Sequence, residues 1–349
     1  MLLPYSIINP LTLIEVERRL PHAGEVLVNE NTTVEPYQIV AEATRLPDFT
    51  IINVSRKLGL SPKRVRKALQ VDVGDQVEEN EVLASRGGLG GRVCRAPFSG
   101  IITGYGRGRL LLEANPVVYR MPALVPGTVA RIWPGEGVTI HTHGALIQGT
   151  WGNQKETYGV LRMAVRAPHH PLRARRLDAS VQGAIVVGGV SLDEEALEQA
   201  IEMQVRGILV GGVPVELLGR LEEVEIPVLA TEGIGEIPMS APAFELLRSL
   251  DGREGAVCAR VAHRRAEPRP YIAIPMPAQS STRVTLQVPL KVGDQVRILR
   301  NPYLGMTGTV TELPSVPSRV ETGARFRGAH VDLGEETVFI PLVNLERVL

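Results

Sequence analysis

Three glycine-bearing turns are the positions in this chain best suited to hold a ligand. Gly188 and Gly189 follow the apolar run "GAIVV", with Ser191 just beyond; Gly211 and Gly212 follow "GILV"; and "TEGIG" (231–235), containing Glu232 and Gly233, follows "IPVLA", with Ser240 a few residues on. If the runs are parallel strands, the glycines lie beyond their carboxyl ends, where open α/β sheets bind ligands. Ser191 and Ser240 would then begin helices whose first amides can receive an anion. The chemistry implied is binding of a small anionic ligand. Glu232 is the only acid in this set, and one carboxylate names no reaction. The same pattern arises if the glycines serve only tight strand-to-helix turns, and that simpler reading is preferred.

Other constellations are weaker. "HTH" at 141–143 places His141 and His143 on one strand face, a usable metal pair, but no carboxylate or cysteine partner is evident locally, so no metal is expected. Nucleophile-elbow and phosphate-loop patterns are absent, and "GGLGG" (87–91) reads as a hairpin tip. No catalytic residue and no cofactor are assigned. "SRKLGLSPKRVRKAL" (55–69) combines a turn glycine with six basic residues, but strand-like segments flank it where a three-helix DNA-binding unit would need helices. It reads as a short basic helix capping a β-structure. "YGVLRMAVRAPHHPLRARRL" (158–177) is a second basic stretch without an acid, taken as a separate solvated or interdomain surface.

The elements that must position these residues follow from composition and pattern. The 349 residues favour two or three domains, and a hydrophobic content of 44% without an apolar run of membrane-spanning length points to a folded protein with no membrane partner. The first twenty residues carry no charge before Glu15, unlike a secretion signal, so the cytoplasm is the expected location. Cys94 and Cys258 cannot form a disulfide framework and read as core residues. A net charge of zero removes any bulk attraction to phosphate, and an aromatic content of 4% provides no broad stacking platform; nucleic-acid contact would have to be local.

Residues 1–165 alternate short β-branched runs with glycine and proline, the pattern of an all-β barrel or sandwich. Over 166–265 strands alternate with helices, implying a parallel α/β domain, with Ser191 and Glu194 forming a capping box for the first helix. The proline- and arginine-rich stretch 262–281 reads as a connector, the linker proper being 266–281, and residues 282–349 return to short strands.

"VGDQV" occurs twice, at 73–77 and 292–296. Gly-Asp supplies a tight turn in both copies, but the continuations differ, which suggests convergent turn chemistry on two unrelated small β-folds. The first copy, with Leu83, Ala96, Pro97, Ser99, Gly100 and Ile102, resembles the biotinyl/lipoyl-like barrel-sandwich hybrid of RnfC-type proteins and parts of large RNA polymerase subunits. Weaker echoes at 24–41 and 124–149 extend that resemblance over the amino-terminal region. Carrier members present a lysine between the half-motifs; none lies between Lys67 and Lys155, so covalent biotin or lipoate is not expected and the fold reads as scaffold.

The second copy, with Ile298, Pro302, Gly305, Gly308 and Val310, resembles the KOW module of NusG-type elongation factors and certain ribosomal proteins. It departs from that pattern at Asn301, where glycine is usual; asparagine also tolerates a left-handed backbone. The resemblance implies docking on an RNA or protein surface without catalysis, through Arg297, Arg300, Asn301 and Tyr303, with Arg325 and Arg327 on a neighbouring strand. The chain is thus expected to be multidomain and mainly β: a barrel-sandwich hybrid, a small parallel α/β (Rossmann-like) domain and a small KOW-type β-barrel. Its expected role is a non-catalytic adaptor docking on RNA polymerase, the ribosome or RNA. Alternatives are an enzyme or sensor for a small anion at the glycine-rich edge, and a scaffold with protein partners only.

Overall fold

Apolar runs bounded by turn residues become strands along most of the chain. The computed structural model describes residues 5–6, 8–45, 48–87, 91–261, 269–277, 290–300, 302–320, 323–334 and 336–348. Strand accounts for 46% and helix for 14%, so the chain is mainly β, with several sheets. Among the described residues no helix is long and apolar enough to cross a membrane.

The largest sheet has 11 strands and crosses the division expected at 165/166. Glu156–Met163, Ala184–Val187, Gly207–Val213 and Val228–Ile234 are mutually parallel neighbours. Ala184–Val187 and Gly207–Val213 are buried at every residue, as expected of strands covered on both faces. Ile185 and Val187 pack with Ala243, Phe244 and Leu247 of helix Ala241–Ser249 on one face. Val186 and Ile208 pack on the other with Ala196 and Leu197 of helix Glu194–Glu202 and Leu221 of helix Leu218–Glu223.

Three sequence expectations change here. Glu254–Cys258, inside the span 166–265 expected to form a parallel sheet, runs antiparallel to Glu156–Met163. Tyr271–Pro275, expected within the linker, is a buried strand between Glu254–Cys258 and Gly137–Gln148. Its five-residue apolar run satisfies a central strand, and the flanking prolines obscured it. The first helix is capped by Asp193, whose carboxylate accepts from the Ala196 amide at 2.8 Å, rather than by Ser191.

Gly137–Gln148 joins this sheet to the amino-terminal β-structure. Its first half pairs with Gly127–Trp133 and its second with Tyr271–Pro275, while Ile8–Arg19 runs along the opposite side. Beneath lies a core including Val16, Val34, Val129, Ile140 and Met121. Arg18 crosses it, only 2% exposed, and holds both Glu156 oxygens at 2.8 and 2.6 Å. Burial acts to lower the Arg18 pKa, but Glu156 outweighs it and the guanidinium is held above its ordinary value. Burial likewise acts to raise Glu156, and Arg18 and Arg260 overcome it, keeping the carboxyl below its ordinary value.

A separate unit emerges between two paired strands. Ile39–Arg45 and Val117–Pro122 are antiparallel, with Arg45 opposite Val117, and the chain between them builds its own structure. Phe49–Asn53, Arg109–Ala114, Gly100–Gly106 and Gln76–Val77 form one sheet, and Val82–Arg86 pairs with Arg92–Arg95. Leu58, Leu83, Ile102 and Leu112 centre a core that shares no residue with the preceding one.

The carboxy-terminal segment forms a six-stranded sheet around Val296, Val310, Val331 and Leu345. It takes in the far end of the chain, because Tyr5–Ser6 pairs in parallel with Leu345–Val348. The two "VGDQV" copies make the same local structure. In the first, Gly74 has φ +104°, the Asp75 carboxylate accepts from the Asp72 amide at 2.7 Å, and the Gly74 amide bonds Ile102 O at 2.7 Å. In the second, Gly293 has φ +93°, Asp294 accepts from the Lys291 amide at 2.8 Å, and the Gly293 amide bonds Val310 O at 2.8 Å. Val77 then pairs with Gly100, and Val296 with Gly308.

Candidate functional site

The candidate contact surface is one end of the carboxy-terminal sheet. Gln295–Ile298 and Thr307–Glu312 are joined by a loop closed by Gly305 N to Ile298 O at 2.8 Å and Met306 N to Tyr303 O at 3.0 Å. Leu299 N bonds Asn344 O and Leu342 N bonds Arg327 O, both at 2.9 Å, so the beginnings and ends of four strands meet here. These bonds place Arg300 and Arg327 on either side of the 342–344 turn. Arg300, Arg325 and Arg327 are exposed, and no ion pair involves them among the described residues. Leu304, Met306, Phe326 and Val343 are exposed beside them, Val343 at 66%. Tyr303 is half-buried against the core. Asn301 lies outside the described residues.

Arg297 does not belong to that surface. Its side chain is 3% exposed and binds Glu346 Oε2 through Nε at 3.0 Å, Thr231 O at 3.2 Å, and the Glu232 carboxylate. Arg269 takes the other oxygen of Glu346. Two guanidinium groups and two carboxylates thus form a charge-balanced cluster where the carboxy-terminal sheet meets the parallel sheet. Burial opposes the charge on Arg297, but Glu232 and Glu346 outweigh it and raise its pKa. Alternation along the strand, with Val296 and Ile298 in the core, correctly directs Arg297 to the other face. That another part of the chain covers this face has no local signal, and Glu346 and Arg269 went unremarked for the same reason.

The glycine-rich edge is filled by the protein's own backbone. A methyl group at Gly189 would lie 2.4 Å from His170 O and 2.6 Å from Pro168 O. At Gly211 it would lie 2.2 Å from Ile237 O, and at Gly212 2.1 Å from Gly235 O. Gly188 is crowded by the Leu172 side chain at 2.9 Å, and Ser191 is buried with its carbonyl accepting from the Leu172 amide. Gly233 has φ +140°. These glycines permit close approach of the 167–172 and 235–239 segments, the simpler of the two readings. At the start of helix Ala241–Ser249 the Ser240 amide donates to Glu232 Oε1 at 2.9 Å. The seat that a ligand anion would use therefore holds an internal carboxylate, itself neutralised by Arg297.

An open cleft of about 770 Å³ lies elsewhere, lined in part by His143, Tyr158, Asp251, Arg253, Glu254 and Met276. The Tyr158 hydroxyl donates to Glu254 Oε2 at 3.2 Å. Burial, then the Glu254 charge, pushes the Tyr158 pKa up, so the phenol stays protonated and supplies no base. His141 meets Glu15 across the strands at 3.3 Å, a partner that sequence proximity could not reveal. Among the described residues no three His, Cys, Asp or Glu side chains are placed to hold a metal ion. No family model matches the chain, and no curated protein matches it.

Proposed function

We propose that this protein is a non-catalytic adaptor that docks on a nucleoprotein machine, RNA polymerase or the ribosome, through the loop end of its carboxy-terminal sheet. The observation that carries this reading is the combination, around the 342–344 turn, of Arg300 and Arg327, neither ion-paired among the described residues, with the exposed apolar side chains Leu304, Met306, Phe326 and Val343. Arginines beside apolar anchors suit a surface of mixed phosphate and protein character. The resemblance of residues 291–313 to the KOW module supports the same reading. The competing reading, a small anion held at the glycine-rich edge, finds its seat taken by Glu232.

The test is affinity purification of the tagged full-length chain from its own cells, compared with an Arg300→Glu, Arg327→Glu variant. Polymerase or ribosomal components should be enriched with the native chain and lost with the variant. Recovery of neither assembly, or equal recovery with both chains, overturns the proposal.

A further inference from the structure

A second exposed surface carries cations that the docking function does not use. The two short helices Val54–Leu58 and Pro62–Val65 face the core of the inserted unit with Val54, Leu58 and Val65. That orientation leaves Arg56, Lys57, Lys63, Arg64 and Lys67 exposed. Gly59 ends the first helix at φ +64°, and a methyl group there would lie 3.3 Å from Arg92 Nη1 and 3.7 Å from Arg86 Nη1. The two guanidinium groups of the adjoining hairpin therefore converge on the turn between the helices. Arg86 and Arg92 stand directly opposite one another across antiparallel strands, a like-charge pairing that opposes folding.

Some exposed or half-exposed arginines elsewhere on the surface are matched to carboxylates, as in Arg19–Glu136 and Arg220–Glu198, both within 2.8 Å, whereas Arg300, Arg325 and Arg327 have no ion-pair partner among the described residues. Around the helix pair only Arg66 has an acid in reach, Asp72 at 3.9 Å, and none of the other seven cations named above is ion-paired among the described residues. Asp75 and Glu81 of the same unit accept from the Asp72 and Glu78 amides, and neither forms an ion pair with these cations among the described residues. In a chain of zero net charge, this is a local concentration of uncompensated positive charge.

We infer that this face binds the phosphate backbone of base-paired RNA. A polyanion compensates the converging guanidinium and ammonium groups, releasing counterions. Helices of five and four residues are too short to read a B-DNA major groove. Tyr105, the aromatic ring beside them, is covered by Arg66 at 5.5 Å and is not available to stack on unpaired bases. What remains is recognition of an A-form duplex by shape and phosphate spacing. This inference does not depend on the docking proposal, which uses a different surface.

The test is fluorescence anisotropy of the full-length chain with an RNA duplex of about 20 base pairs, long enough to present two successive minor grooves. Binding should weaken steeply between about 50 and 200 mM salt. Combined Lys57→Glu, Arg64→Glu and Arg92→Glu substitutions should lower affinity at least about 30-fold and flatten the salt dependence, with the melting temperature unchanged. Should charge reversal lower the melting temperature, the Gln versions of the same three substitutions should still weaken binding about tenfold. Arg300→Glu with Arg327→Glu should leave duplex affinity within about threefold. Absence of salt-dependent duplex binding, or full affinity in both triple variants, overturns the inference. Equal affinity for the matching DNA duplex overturns the assignment to RNA, and capture of an acidic protein by this face without duplex binding overturns it equally.

Discussion

Arg297 and Arg300 are three positions apart on the same hairpin, yet they do unrelated work. Arg300 is exposed at the loop, whereas Arg297 is enclosed by carboxylates from two parts of the chain. Among the described residues, removing the Arg297 charge leaves Glu232 only the Ser240 amide in a desolvated site, while Glu346 keeps Arg269. Arg297→Met should therefore destabilise the chain by about 3–5 kcal/mol in urea unfolding, the cost of one uncompensated buried charge. Adding Glu232→Gln to that variant should recover part of the loss, because the two groups share one network. Additive losses would mean that the two do not interact.

The repeated pentapeptide is an element-scale device. Each copy places glycine at positive φ and aspartate as an acceptor for the amide three residues back, starting a strand in the same register relative to its turn. The surroundings differ: Asp75 is exposed, whereas Asp294 also accepts from Arg347 at 2.9 Å. Asp75→Ala should cost about 1 kcal/mol and Asp294→Ala about 2 kcal/mol by thermal or urea unfolding, since the second loses a charged hydrogen bond as well as the turn. Equal losses would show that the Arg347 contact contributes nothing. This likeness was legible in five letters, as was the burial of the continuous apolar strands. Tyr271–Pro275 was less legible, because its flanking prolines resemble connector and its pairing partners lie far away in sequence.

At the scale of the whole molecule, the chain is interrupted and then closed on itself. The unit between Arg45 and Val117 leaves and re-enters at directly opposed strand positions, and its core is separate from the one beneath. Replacing residues 46–116 by an Asn-Gly turn should give a hairpin of the flanking strands and a chain that still melts cooperatively. Loss of cooperative melting would show that the insertion supports the rest. Closure comes from Tyr5–Ser6 on Leu345–Val348 and from the Arg297 cluster, which together tie the two ends of the chain to the parallel sheet.

Local pattern determined the mainly β character, the strand–helix alternation after residue 183 and the two Gly-Asp turns. Each depends on periodicity or backbone preference within a few residues. Tertiary structure decided that one sheet takes strands from both sides of residue 165, that the glycines admit covering segments, and that Glu232 holds the helix amide while Arg297 neutralises it. Those outcomes depend on which distant surfaces meet, and burial of a charge is decided by the partner that covers it rather than by the residues beside it in sequence.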